Sequence, residues 1–116
     1  MMRGLALAAL VAATLAAGPA QADYAKGQEL MILTLRSALL AEQYCPYRID
    51  EKRLQGFLSR KQLTRSDLTS GHYSPLLDED IAADTQRYQA DTAAACDQAW
   101  ASFGPGSPLN GLLRTK

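Results

Sequence analysis

Apolar residues recur with a helical period over most of the chain after residue 22. The longest such stretch lies between Ser74 and Gly104, where apolar side chains repeat every three or four positions and acidic side chains lie opposite. A serine cap followed by Pro75 is typical of a helix start. Gly104, with a proline after it, ends the pattern, because a glycine there accepts a left-handed conformation. We therefore predict one long helix over residues 75–103.

Residues 24–44 are predicted to form the first helix of the mature chain. This helix is apolar around most of its circumference, and it stops before Pro46, which disfavours a helical conformation in the preceding residue. Two interpretations are open: the helix is the central element of the bundle, or part of its surface is an interface. The candidate interface residues are Leu30, Leu33, Leu40 and Tyr44.

Residues 51–61 and 65–70 are each predicted to form a short helix after a capping residue. Asp50 caps the first of them, and Thr64 caps the second. Gly71 ends the second helix. In both cases apolar residues stand at the two positions of a hydrophobic staple. These are Ile49 with Leu54, and Leu63 with Leu68.

Together the helices predict an all-α fold, a small bundle of three to four helices. The chain is short enough for one domain, over residues 23–116. The C-terminal tail after Phe103 is predicted to be loose, although leucines within it should fold back onto the core. These leucines are Leu109, Leu112 and Leu113.

Residues 1–22 have the three parts of a secretory signal peptide. Arg3 supplies a basic start, residues 5–17 are apolar, and Ala20 and Ala22 form a small-x-small cleavage site. A membrane anchor would need roughly 20 continuous apolar residues, which this run does not reach. We therefore predict cleavage after Ala22 and a periplasmic or secreted protein.

Two cysteines, Cys45 and Cys96, are predicted to form a disulfide, because an exported chain meets an oxidising compartment. Their spacing is unlike the C-x-x-C of redox-active pairs, which favours a structural bond. Closing a loop of about 50 residues stabilises the fold by about 4 kcal/mol in the chain-entropy estimate. This bond would supply a large share of the stability of so small a domain.

Charge is balanced overall but unevenly distributed. The chain has 12 basic and 12 acidic residues, which gives no electrostatic basis for bulk nucleic-acid binding. The predicted long helix is acidic and should attract a basic segment that precedes it. That segment is a candidate patch for an anionic partner, with contact to a membrane surface less favoured. Its basic residues are Arg48, Lys52, Arg53, Arg60, Lys61 and Arg65.

Two chemical alternatives are open. His72 is the only histidine and has serines and aspartates nearby in sequence, so a small hydrolase could use it as a base. Alternatively, the cluster Asp78–Asp84 could bind calcium, although its acids also suit the first turns of a helix. One histidine and two bridged cysteines do not furnish a zinc site, and no cofactor is predicted.

The function expected from these features is a non-enzymatic one, exerted through protein–protein contact. In general layout the chain is similar to the HdeA-type acid-stress chaperones of the periplasm, which are short, exported, helical and held by a long-range disulfide. The similarity covers architecture alone and assigns no residue. Chaperone, inhibitor, immunity protein and accessory subunit all fit. The expected partner is another exported or periplasmic protein, or a second copy of this chain.

Overall fold

The computed structural model describes residues 24–116, and the predicted signal peptide lies outside them. The prediction of an all-α fold with one long-range disulfide is confirmed, with a short two-stranded ribbon added to the helices. In chain order the elements are α1 (Lys26–Tyr44), β1 (Tyr47–Ile49), α2 (Glu51–Arg60), α3 (Asp67–Ser70), α4 (Pro75–Ala90), α5 (Thr92–Phe103) and β2 (Leu113–Thr115).

Helix α1 is the centre of the bundle and packs against α3, α4, α5 and β1. Its first turn is held by Gln28, whose side-chain oxygen accepts the backbone N–H of Ala25 at 2.9 Å and whose amide donates to the carbonyl of Lys61 at 2.8 Å. Within residues 24–116, no helix combines the length and apolar character needed to cross a membrane. The fully buried residues of α1 are Ile32, Leu35, Ala38 and Ala41.

The predicted single helix over residues 75–103 is wrong, because the chain leaves the helical conformation at Asp91. The Asp91 carboxylate accepts the backbone N–H of Ala94 at 3.1 Å, so this residue caps α5. The Thr92 hydroxyl donates to the carbonyl of Tyr88 at 2.7 Å, at the end of α4. Both side chains form hydrogen bonds with backbone groups that would otherwise bond within a continuous helix. This competition explains the break.

Helices α4 and α5 fold back on each other as a hairpin. The Arg87 guanidinium donates to the side-chain oxygen of Gln98 at 2.7 Å, whereas a straight helix would separate these residues by about 16 Å. Both helices also pack on α1. The start of α4 is as predicted, with the Ser74 hydroxyl accepting the N–H of Leu77 at 3.2 Å. A hairpin of α4 and α5, rather than one long helix, therefore packs against α1.

The disulfide joins Cys45, just after α1, to Cys96 in α5, as predicted. It links residues 51 apart in sequence, and both sulfurs belong to buried residues. Farther along α5, Phe103 lines the same concavity as Leu33 of α1. Helix α5 thus runs antiparallel to α1, fastened at one end by a covalent bond.

The C-terminal tail is ordered rather than loose, which corrects the prediction. Strand β2 pairs antiparallel with β1, and the Arg114 guanidinium donates to the Asp50 carboxylate at 2.9 Å. Leu112 and Leu113 are completely buried, so the predicted return of the tail to the core is confirmed for both. Gly111 makes the turn before them with a φ of +76°, a conformation that favours glycine.

Two carboxylates bind backbone N–H groups in the segment between β1 and α4. Asp50 is a helix cap as predicted, whereas the predicted cap Thr64 is wrong, because α3 has Ser66 at its N-cap and no side-chain cap bond. The Asp50 carboxylate accepts the backbone N–H groups at the start of α2, and Asp67 accepts the N–H of Thr64 at 2.7 Å. Helix α3 begins at Asp67, two residues later than predicted, and α2 ends at Arg60. The four predicted staple residues are all buried: Ile49, Leu54, Leu63 and Leu68.

Candidate functional site

Two exposed leucines lie together beside α1. Leu30 is 66% exposed and Leu76 is 68% exposed, and they are the exposed large hydrophobic side chains among residues 24–116. Both line one concavity between the first turns of α1 and α4. A single exposed leucine is ordinary, but two in one concavity form a patch typical of an interaction site.

This concavity continues along α1 and α4 into a wider open one of about 690 Å³. The two share Leu33 and Asp80, so they form one surface, which we call the α1–α4 groove. Its far side is closed by the end of α5 and the tail. Apolar residues that line the groove include Leu30, Leu33, Leu76, Phe103 and Leu109.

Helical spacing explains why these side chains are available. Leu76 and Leu77 are neighbours in α4, and successive helical side chains point about 100° apart. Leu77 is 4% exposed in the core, which leaves Leu76 outside. The adjacent pair of leucines was the sequence signal for this site. On α1, Leu30 and Leu33 were both among the predicted interface residues.

One wall of the groove is acidic. Asp80 and Asp84 project from α4, and the partly buried Glu29 projects from α1. Asp84 holds Arg87 through two hydrogen bonds of 2.7 and 3.0 Å to one carboxylate oxygen. Burial by itself would lower the pKa of Arg87, but the hydrogen bond and charge of Asp84 outweigh it and raise that pKa above its usual value. The cation of this wall is therefore already neutralised.

Glu29 has an unused acceptor at the groove. Its oxygen Oε2 is buried and has no hydrogen-bond partner in the protein. A buried carboxylate oxygen without a donor costs free energy, so a donor brought by a ligand would be stabilised there. The remaining charges are Lys26, beside Glu29, and Lys61 on the other side of Leu30.

The two other predicted interface residues lie elsewhere. Leu40 is 9% exposed and belongs to the core. Tyr44 lies at the opposite end of α1, where its ring stacks on that of Tyr88 at 5.9 Å and its hydroxyl accepts the amide of Gln89 at 3.1 Å. The groove therefore brings together Leu30 and Leu33 without Leu40 or Tyr44.

The predicted basic patch is solvent-exposed along its whole length. Its ion pairs are local: Arg65 binds Glu51 at 2.6 Å, and Arg53 lies 4.0 Å from Asp50. Among the ion pairs of residues 24–116, none joins this patch to the acidic helices α4 and α5. The expected attraction between the two segments is therefore not realised as direct pairing. The exposed residues are Arg48, Lys52, Arg53, Arg60, Lys61 and Arg65.

The groups that a hydrolase would draw on around His72 have structural roles. Ser74 caps α4, and the Ser70 hydroxyl donates to the backbone carbonyl of Ser66 at 3.0 Å. The backbone N–H of Thr64, with the hydroxyl of Tyr24, lowers the pKa of Asp67 below its usual value.

No acidic, histidine or cysteine cluster within residues 24–116 is suited to hold a metal ion. In the segment Asp78–Asp84, the last carboxylate is bound to Arg87. No protein-family model matches this chain, and no match is found among curated proteins or solved structures.

Proposed function

We propose that this chain is an exported, non-enzymatic protein that binds another exported or periplasmic polypeptide in the α1–α4 groove. Chaperones, inhibitors, immunity proteins and accessory subunits all work through such a surface. The proposal joins three features: an exposed apolar concavity, a disulfide and a leader typical of secretion.

The observation that carries the proposal is the exposure of Leu30 and Leu76 in one concavity. Complete burial of a leucine side chain contributes about 1.5–3 kcal/mol relative to its exposure. Leu30 and Leu76 are mostly exposed, so the fold gains little of this burial free energy from them. Ile32 and Leu35 of α1, by contrast, are completely buried. A partner that covered both leucines would gain that free energy on binding.

The polar groups of the groove can orient a bound polypeptide through hydrogen bonds and charge. They are the carboxylates of Glu29, Asp80 and Asp84, a few hydroxyls, and cations of which Arg87 is already paired. No histidine or cysteine within residues 24–116 lines the groove.

Site-specific cross-linking tests this proposal. A photoreactive residue is placed at Leu30 or at Leu76 in the full chain, which is expressed in its own organism and irradiated. We expect a discrete adduct with the same polypeptide from both positions. The purified partner should then bind the wild-type protein, and Leu30→Gln should weaken binding by about tenfold or more, as expected for one leucine withdrawn from an interface.

The matched control places the photoreactive residue at Gln55, which is exposed on α2 and lines none of the concavities beside α1. It should give no adduct with that polypeptide. Equal yields from Gln55 and Leu30, or a partner whose affinity is unchanged by both Leu30→Gln and Leu76→Gln, would contradict the proposed function.

A further inference from the structure

The shape of the α1–α4 groove restricts what can occupy it. A concave surface accepts a convex segment, whereas an isologous dimer presents the same patch on both partners. Two copies meeting through this groove would set concave against concave, and Asp80 and Asp84 of one copy against those of the other. Both the shape and the charge therefore favour a different polypeptide.

The basic helix α2 of a second copy also fits poorly. Its leucines Leu54 and Leu58 are completely buried, and its outward face is polar apart from the partly buried Phe57. Phe57 is itself covered by the Arg60 guanidinium, 5.2 Å from its ring centre. A segment that offers charge without exposed leucines would leave Leu30 and Leu76 uncovered.

Secondary structure favours a helix over an extended strand as the occupant. Strand addition needs an unpaired strand edge, and the groove is lined by α1, α4, the end of α5 and the tail before β2. No residue of β1 or β2 lines it. A helix laid along α1 would present apolar side chains three and four residues apart, which matches the spacing of Leu30, Leu33 and Ser37.

The charges of the groove determine which charged residues a bound helix should carry on the flank that meets α4. Asp80 and Asp84 of α4 and Glu29 of α1 line the groove, and Glu29 offers a buried oxygen without a donor. Arg87 and Asp84 neutralise each other, which leaves the carboxylates of Asp80 and Glu29. The cations nearby are Lys26, beside Glu29, and Lys61 on the other side of Leu30. An incoming lysine or arginine on the α4 side would pair with Asp80, and a carboxylate there would be repelled.

From these observations we infer that the occupant of the α1–α4 groove is an amphipathic helix of a partner protein, with a leucine-type apolar stripe and basic residues on the flank that meets α4. This inference rests on the proposed function and narrows it to one class of partner segment.

Two synthetic peptides of about 18 residues, long enough to form helix, test the inference. They share one stripe of leucines and differ in the flank, which is lysine in one and glutamate in the other. Binding to the protein, purified from the periplasm with its disulfide intact, is followed by fluorescence anisotropy. We expect the basic peptide to bind about tenfold more tightly or better, and the preference to shrink at high salt.

Matched variants locate the binding. Glu29→Gln and Asp80→Asn should each weaken the basic peptide several-fold, whereas Asp97→Asn, an exposed aspartate of α5 outside the groove, should leave it unchanged. Leu30→Gln should weaken both peptides. Circular dichroism of each variant shows that the fold is retained, since all four positions lie outside the buried core.

The outcomes separate this inference from the proposed function. Equal binding of both peptides, lost with Leu30→Gln, would overturn the charge preference and leave the groove as a binding site. If the protein prefers the basic peptide and neither Leu30→Gln nor Asp80→Asn changes that preference, the attraction is non-specific electrostatic attraction, and the inference is overturned. Binding of neither peptide would also overturn it, while cross-linking at Leu30 judges the proposed function independently. If light scattering shows a dimer that Leu76→Gln abolishes, the occupant of the groove is a second copy of this chain, and the inference of a partner helix is overturned.

Discussion

The two ends of α1 are built from similar residues and have opposite surroundings. At its C-terminal end, Leu40 and Cys45 are buried, Cys45 is joined to Cys96, and the β1–β2 ribbon follows directly. Tyr47 stacks on Trp100 there, with ring centres 4.8 Å apart. At its N-terminal end, Leu30 is 66% exposed above an open groove.

The C-terminal end of α1 therefore contributes mainly to the stability of the fold, and its N-terminal end is available for binding. The closed end is held by a covalent bond and by paired strands from distant parts of the chain. The open end is held by smaller ties, such as Gln28 to the carbonyl of Lys61 and the Tyr24 hydroxyl to Asp67 at 2.7 Å. An apolar surface can remain exposed at the open end because the closed end secures the fold.

Breaking the disulfide should have the largest effect on the closed end. For Cys45→Ala with Cys96→Ala, we expect the free energy of unfolding to fall by about 4 kcal/mol, because the unfolded chain regains the entropy of a long open loop. Urea denaturation with and without reductant measures it. Reductant should lower the stability of the wild type towards that of the double variant. A wild type unmoved by reductant would contradict this prediction.

Leucine truncations should distinguish the core from the groove. Leu35 is fully buried, so Leu35→Ala should cost about 2–5 kcal/mol through lost burial and a cavity. Leu30→Ala changes an exposed side chain and should alter stability by no more than about 0.5 kcal/mol. Thermal and urea unfolding compare the pair. Equal costs for the two variants would mean that Leu30 is a core residue.

Removing the cap between α4 and α5 should have a smaller effect. Asp91→Ala takes away the acceptor for the N–H of Ala94, and we expect it to cost about 1 kcal/mol. Asp97→Ala, at an exposed position in the same helix, is the control and should stay within about 0.5 kcal/mol of wild type. Urea midpoints decide between them, and an unchanged midpoint for Asp91→Ala would show that the hairpin does not depend on this cap.

Acidification should act on the open end through Asp67. The Thr64 N–H and the Tyr24 hydroxyl lower the pKa of Asp67 in the folded state, so its contribution to stability is present above the unfolded pKa of about 3.9 and is lost as pH falls through the lower folded value. Asp67→Asn should therefore be less stable than wild type at neutral pH, with the gap closing below about pH 4. Urea midpoints across this range test it. A gap that stayed constant with pH would contradict the assignment.

The sequence predicted the fold class and the disulfide, because capping residues, staples and cysteines are local or paired signals. It did not predict the hairpin, since Asp91 fits the polar side of one long helical period, and Thr92 its core-facing side, as well as they fit a break. The pairing of β2 with β1 was also missed. It depends on contacts between residues far apart in sequence, such as Leu113 with Ile49.

Only part of the candidate site was visible in the sequence. The all-round apolar surface of α1 pointed to Leu30 and Leu33, but a helical pattern cannot show which of its sides the other helices will cover. Leu40 was therefore placed in the same interface, although it is buried. Leu76 contributes to the groove because of the way α4 lies against α1. The prediction of one unbroken helix over residues 75–103 did not include this packing.

Methyl NMR of the protein, titrated with the basic amphipathic peptide, tests the binding role of the α1–α4 groove most directly. Leu112 and Leu113, buried near the ribbon, serve as internal reference methyls. We predict that the shifts concentrate on Leu30, Leu33 and Leu76, with the reference methyls unchanged. Shifts centred on the reference methyls, or spread evenly over all leucines, would contradict the account.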